Sequence, residues 1–238
     1  MIGTDRYTYV QMQKTASGCI EAILRAVTGA RRQGRKHTYF QEKPARLVFG
    51  SVRDPWAWYV SLWAFRGRGV NPIAPALYKD DPRYGKYFAS PYDIDLFREW
   101  MAVIHDPANA GDLHGGYGDF PLIDSVGFMT WRYAYLYMEG IGFHTSPEID
   151  DLGVYDRRHN MVDYWIHTES IAFDVLAALA GAGYTLSPAQ QAEVERLARI
   201  KRNASVHGDY RHYYDTATHD LVRERDSLII GKHYGGRG

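Results

Sequence analysis

The segment Leu47-Val48-Phe49-Gly50-Ser51-Val52 is an apolar run that stops abruptly at Arg53-Asp54-Pro55. A run without polar alternation suits a strand buried on both faces, the environment of a parallel sheet. Pro55 breaks a strand but is pre-set for the first position of a helix. The chain from Pro55 to about Phe65 then carries Trp56, Trp58, Tyr59, Trp63 and Phe65 on every side, as a helix buried all round would. A buried strand feeding a helix is the repeating unit of α/β folds.

The rest of the chain reads consistently with that unit. Arg6 to Met12 predicts a strand, with Val10 and Met12 on one face. After Gln13 to Gly18 a helix follows, with Cys19, Ile20, Ile23, Leu24 and Val27 on one stripe and Gly29 as its stop. Gly29 to Lys43 is basic and polar, holding Arg31, Arg32, Arg35, Lys36 and His37. Residues 67–92 read as irregular, and Asp93 to His105 as an amphipathic helix. Val126 to Glu139 reads as a helix and Tyr164 to His167 as a third strand. Ser170 to Leu179 is another helix. Ser187-Pro188-Ala189-Gln190 is a capped start for a helix to about Lys201. Thr216 is expected to cap a last helix reaching about Ile230. This order predicts one α/β domain over 1–238: a P-loop-like parallel sheet flanked by helices, with an irregular or helical insertion over 67–125.

Charge and cysteine content narrow the partners. The 28 basic and 28 acidic residues cancel, which disfavours a nucleic-acid partner. The single cysteine excludes an internal disulfide and fits a reducing compartment. No basic segment followed by an apolar stretch opens the chain, so no signal peptide is expected. The longest apolar run, Trp56 to Phe65, is too short to span a bilayer. A cytoplasmic location is the expectation.

Two short segments carry chemistry. The turn Gln13-Lys14-Thr15-Ala16-Ser17-Gly18 lies between a predicted strand and a predicted helix. A helix N-terminus offers unpaired amides and partial positive charge to a phosphate, and Lys14 adds a full cation. The turn lacks the glycines of a nucleoside-triphosphate P-loop, because Tyr9 and Gln13 stand in their places. Read by itself, it is either an ordinary capped turn or an anion cradle. The second segment is Arg53-Asp54-Pro55 with Ser61 eight residues on. Arg53 follows the carboxyl end of a predicted parallel strand, where open α/β sheets bind ligands. Read by itself, it is a surface arginine followed by a buried helical serine.

Together these segments resemble the sulfotransferase family. Lys14 to Gly18 is similar to the family's 5′-phosphosulfate loop, with Gln13 where proline is usual and Gly18-Cys19 where threonine or serine is common. Val52-Arg53-Asp54-Pro55 with Ser61 resembles the family's 3′-phosphate motif. Arg202-Asn203-Ala204-Ser205 with Tyr213-Tyr214 resembles its C-terminal segment, and His167-Thr168-Glu169-Ser170 a strand end with a glutamate.

The resemblance implies a sulfotransferase fold and the co-substrate 3′-phosphoadenosine-5′-phosphosulfate (PAPS). It assigns Lys14, Thr15, Ala16, Ser17, Gly18 and Cys19 to the 5′-phosphosulfate, and Arg53 and Ser61 to the 3′-phosphate. Lys201 or Arg202 would close over that phosphate from the C-terminal loop. Lys14 would also neutralise the leaving oxygen. A general base is needed for the acceptor proton. His37 is the first choice, because imidazole titrates near neutrality, and Glu42 is the second. His144, His159 and His167 are weaker candidates. No metal is required, since lysine and arginine suffice for the donor's charge. The acceptor is a small molecule or a glycan carrying a hydroxyl or amine. Residues 67–125 are placed on the acceptor side, where Trp63, Tyr78, Tyr84, Tyr87 and Tyr117 either stack on the acceptor or staple the insertion to the core. A P-loop kinase and a non-catalytic nucleotide-binding module are the alternatives.

Overall fold

The computed structural model describes residues 1–65, 77–78, 81–113, 115–142, 147–200 and 205–235. In chain order the strands are β1 (Ile2–Gly3), β2 (Tyr7–Tyr9), β3 (Arg31–Arg32), β4 (Leu47–Val52) and β5 (Tyr164–His167). The helices are α1 (Ser17–Thr28), α2 (Pro55–Trp63), α3 (Pro82–Gly85), α4 (Ile94–His105), α5 (Phe128–Tyr137), α6 (Leu152–His159), α7 (Ile171–Gly181), α8 (Pro188–Ala198), α9 (Thr216–Arg225) and α10 (Ser227–Ile229). The chain divides into two compact units. Met1–Arg53, Tyr135–Gly140 and Arg157–Arg202 form the first, and Asp54–Ala134, Ile141–Asp156 and Asn203–Gly238 the second.

The first unit is α/β. Its sheet has the order β3-β1-β2-β4-β5. β4 runs parallel to β2 and to β5, with Tyr7 opposite Leu47 and Phe49 opposite Tyr164. β1 is antiparallel to both β2 and β3. The sheet is therefore mixed, which corrects the expectation of a parallel sheet. The cause is the short link Thr4-Asp5-Arg6 between β1 and β2, which allows a hairpin but no crossover. The apolar run of β4 is explained by its position between two parallel neighbours, where Val48 to Val52 are all buried. Gly50 is needed there, because a Cβ would come within 2.9 Å of both the Trp165 and Val162 side chains.

One helix stripe completes the core. α1 buries Cys19, Ile20, Ile23, Leu24 and Val27. They pack with Tyr7, Tyr9 and Phe49 of the sheet and with Val175, Leu179, Val194 and Leu197 of α7 and α8. Each such aliphatic side chain contributes about 2 kcal/mol by leaving water. Gly29 ends α1 in the left-handed region, φ 68°, and its amide donates to the Arg25 carbonyl. Ser187 and Gln190 form the expected capping box on α8.

The second unit is helical. Asp54 accepts the Ala57 amide at 2.9 Å and so caps α2, with Pro55 in the first turn. From Ala57 to Trp63 every residue of α2 is buried, as its all-round aromatics require. Trp63, Tyr78, Tyr84 and Tyr117 are buried core residues. Tyr78 stacks on Tyr84 at 4.0 Å and accepts the Trp100 indole N–H at 3.0 Å. The last long helix is capped by Asp215, with Thr218 returning to its amide. This corrects Thr216 as the cap, since Thr216 is already helical. A buried carboxylate ties three elements of this unit. Asp226 accepts the Thr130 amide at 2.8 Å, the Thr130 hydroxyl at 2.7 Å and the Tyr59 hydroxyl at 2.8 Å. Among the described residues, no helix is long and apolar enough to cross a membrane.

Candidate functional site

The turn between β2 and α1 takes an unusual backbone path. Among the described residues, three that are not glycine have a positive φ: Lys14 (64°), Ala16 (54°) and His37 (57°). A side chain in this region costs about 1–2 kcal/mol. Such strain persists only where the surroundings impose it, and it concentrates at functional positions. All three residues were named from the sequence. Ala16 stands at the N-cap of α1, where no side chain caps the helix. Its carbonyl accepts the amides of Cys19 at 2.8 Å and Ile20 at 3.1 Å. The Ser17 and Gly18 amides, at the head of α1, have no carbonyl four residues back within the helix. Lys14 and Ala16 thus flank Thr15 with left-handed backbone in this turn.

Beneath the turn lies a layer of buried hydroxyls. Thr15 donates to the Met12 carbonyl at 2.9 Å and lies 2.7 Å from the Ser51 hydroxyl. The Tyr9 hydroxyl is 2.8 Å from the same Ser51 oxygen. Tyr137 donates to the Ser51 carbonyl at 2.8 Å, and its oxygen accepts the Ser51 amide at 3.1 Å. The Thr15 hydroxyl thus bolts the turn to β4 and is fully buried. The Cys19 thiol is buried too and donates to the Leu197 carbonyl at 3.4 Å. That direction places it in the core toward α8. The helical stripe read from the sequence already assigned Cys19 to that face.

Two cations meet at the turn. The Arg53 guanidinium donates to the Lys14 carbonyl at 3.4 Å. Burial, reinforced by the nearby Arg53 charge, pulls the Lys14 ammonium down to about 7. The result is a half-buried positive corner at the carboxyl ends of β2 and β4, where an anion is favoured on both counts.

His37 is held at the same end of the sheet. Its Nδ1 lies 2.8 Å from the Gln11 carbonyl. A carbonyl only accepts, so Nδ1 carries the hydrogen and the lone pair of the neutral ring sits on Nε2. Gln11 is fully buried and donates through its side chain to Glu21 at 3.0 Å. Glu21 also receives Lys36 at 3.0 Å and Arg25 at 3.0 Å. These bonds outweigh burial and hold its carboxyl well below the usual range. The segment carrying His37 is therefore moored to α1 through Lys36 and Glu21. Glu42 is exposed.

The remaining sequence candidates fall elsewhere. Ser61 lies on α2 in the second unit, with its hydroxyl 3.0 Å from that of Ser205. Lys201, Arg202, Asn203, Ala204 and His144 lie outside the described residues. His167 is 3.0 Å from Asp174, which also accepts the Ser170 hydroxyl at 2.7 Å. Burial raises the Asp174 carboxyl, but the bonds from His167 and Ser170 win and hold it low. This cluster closes the start of α7 and is structural. Sequence reasoning missed Gln11, Ser51 and Tyr137. One signal was present, since a serine inside a buried apolar strand must find a partner. Among the described residues, no group of three or more histidines, cysteines and carboxylates is placed to hold a metal ion. Compared with known proteins, the chain matches no family model, no curated protein and no solved structure.

Proposed function

We propose that this chain is a sulfotransferase that moves a sulfuryl group from PAPS to an acceptor hydroxyl or amine. The reading rests on one observation: the Arg53 guanidinium reaches the Lys14 carbonyl at a turn held in the left-handed region. Two phosphate-directed cations from separate motifs thus share one corner.

In this reading the first-turn amides of α1 and the Lys14 ammonium hold the 5′-phosphosulfate. Ser17 and Gly18, half-exposed at the head of α1, lie against it. Arg53 takes the 3′-phosphate. Transfer is an in-line displacement at sulfur. The acceptor oxygen forms the new S–O bond and loses its proton to His37 Nε2. The bridging S–O bond breaks, and its electrons go to the departing 5′-phosphate, where Lys14 neutralises them. The Gln11 carbonyl stabilises the imidazolium that His37 becomes.

The test is binding of 3′-phosphoadenosine 5′-phosphate, read as a rise in Tm. The expected result is a clear rise in the native chain, with affinity about 10- to 100-fold weaker in Arg53→Ala, the loss of one charge-assisted bond. His37→Gln is expected to bind the nucleotide normally and to transfer nothing. Equal stabilisation by ATP, with nothing added by the 3′-phosphate, rejects the proposal.

A further inference from the structure

At the opposite end of the parallel strands a second group of cations is gathered. Arg6 immediately precedes β2 and Arg46 immediately precedes β4. The register Tyr7 opposite Leu47, extended by the bond from the Leu47 amide to the Arg6 carbonyl at 3.2 Å, sets the two arginines side by side. Adjacent strands are roughly 4.8 Å apart. Both side chains line an open groove of about 550 Å³, together with Asp5, Pro44, Ala45 and Leu47.

The bonding of these arginines is incomplete. Arg46 is half-buried and its Nε is fully inaccessible, yet that nitrogen has no hydrogen-bond partner. Its guanidinium makes no ion pair among the described residues. Arg6 donates to the neutral Gly183 carbonyl at 2.7 Å and lies over the Tyr184 ring. Asp163, in the segment before β5, is taken by Lys43 at 2.6 Å and by the Val48 amide at 2.8 Å. Asp5 lines the groove without pairing to either arginine. A buried donor without an acceptor is costly and uncommon. Like charges set opposite one another on neighbouring strands add to the cost. An oxyanion held between the two arginines offsets that like-charge repulsion.

We infer that the groove at the amino ends of β2 and β4 is a second oxyanion site, binding a carboxylate or sulfate group between Arg6 and Arg46. It is independent of the donor reading. The length of β4 separates it from Arg53 by roughly 20 Å, so one small anion does not reach both places.

The test uses the whole chain with sodium sulfate and, separately, sodium acetate, at an ionic strength kept constant with chloride. Arginine Nε–H resonances and Tm are followed in the native chain, Arg46→Met, Arg46→Lys and Lys14→Met. The Arg46 Nε–H signal is expected to shift saturably in the native chain and in Lys14→Met. Sulfate affinity is expected to fall about tenfold in Arg46→Lys, which keeps the charge and loses the fork. A response to acetate alone identifies a carboxylate ligand, and one to sulfate alone a sulfate or phosphate group. A signal that neither salt moves overturns the inference. So does an equal gain in Tm with sulfate in the native chain and Arg46→Met.

Discussion

Arg53 presses its positive charge against the main chain of Lys14, one of the few residues here that holds a left-handed backbone without being glycine. The free protein thus carries a built-in electrostatic conflict at this corner. The Lys14 ammonium is drawn down from 10.5 to about 7 by burial and by Arg53. Between those two values the unfolded chain holds a proton that the folded chain has lost, so stability rises with pH across that window. Below about 7 both states are charged and the penalty is complete. Lys14→Met is therefore expected to raise Tm at pH 6 and to lose that advantage as the pH approaches 10. The same variant is expected to abolish stabilisation by 3′-phosphoadenosine 5′-phosphate. A melting series across pH, with and without nucleotide, checks both.

Ala16 offers a second measure of strain. Its φ of 54° is a position glycine takes without a steric penalty. Ala16→Gly is expected to leave stability unchanged or raise it by up to about 1 kcal/mol, despite the greater freedom of the unfolded chain. A loss of more than that in urea denaturation contradicts the strain assigned here.

The thiol of Cys19 faces α8. Cys19→Ala is accordingly expected to change nucleotide affinity by less than about twofold, while costing roughly 1 kcal/mol of stability. A thiol reagent is expected to leave the native chain unmodified and to label the unfolded one. Fast labelling that the nucleotide blocks places the thiol in the site instead.

Asp226 is the polar hinge of the second unit. Burial pushes its carboxyl up to about 6, against the pull of Thr130 and Tyr59. Asp226→Ala strands the Thr130 amide, and its expected cost is about 3–5 kcal/mol. Asp226→Asn keeps an acceptor for Thr130 and is expected to cost less. The folded chain holds the proton between about 6 and the unfolded value of 3.8, so the wild type gains on the asparagine variant as pH falls through that window and loses the gain above it. Tm measured from pH 4 to 7 decides the matter.

What the sequence revealed of this architecture follows the range of the interactions involved. β4, α1 and the capping box at Ser187 were legible because each is specified by neighbours along the chain. β1 and β3 were not, because a two-residue strand has no periodicity and exists only through its pairing. Their antiparallel pairing is what makes the sheet mixed. At the site, Lys14, Arg53 and His37 were visible as residue types in a pattern. The hydroxyl layer of Thr15, Ser51, Tyr9 and Tyr137 joins residues from four separate segments; the buried serine in β4 signals that a partner exists, and nothing local names it. Thr15 was read as a ligand because it stands in the motif. The direction of its side chain is a property of the turn's backbone.

The outermost strand of the sheet is only Arg31 and Arg32, both exposed. A sheet edge is a template on which any extended chain can continue the ladder. Here the template is two residues long and doubly cationic, so another chain finds neither the length nor the neutrality to extend it. The sheet is thereby protected from growing into fibrils along its β3 side, and replacing both arginines with valine would remove that protection without touching the core.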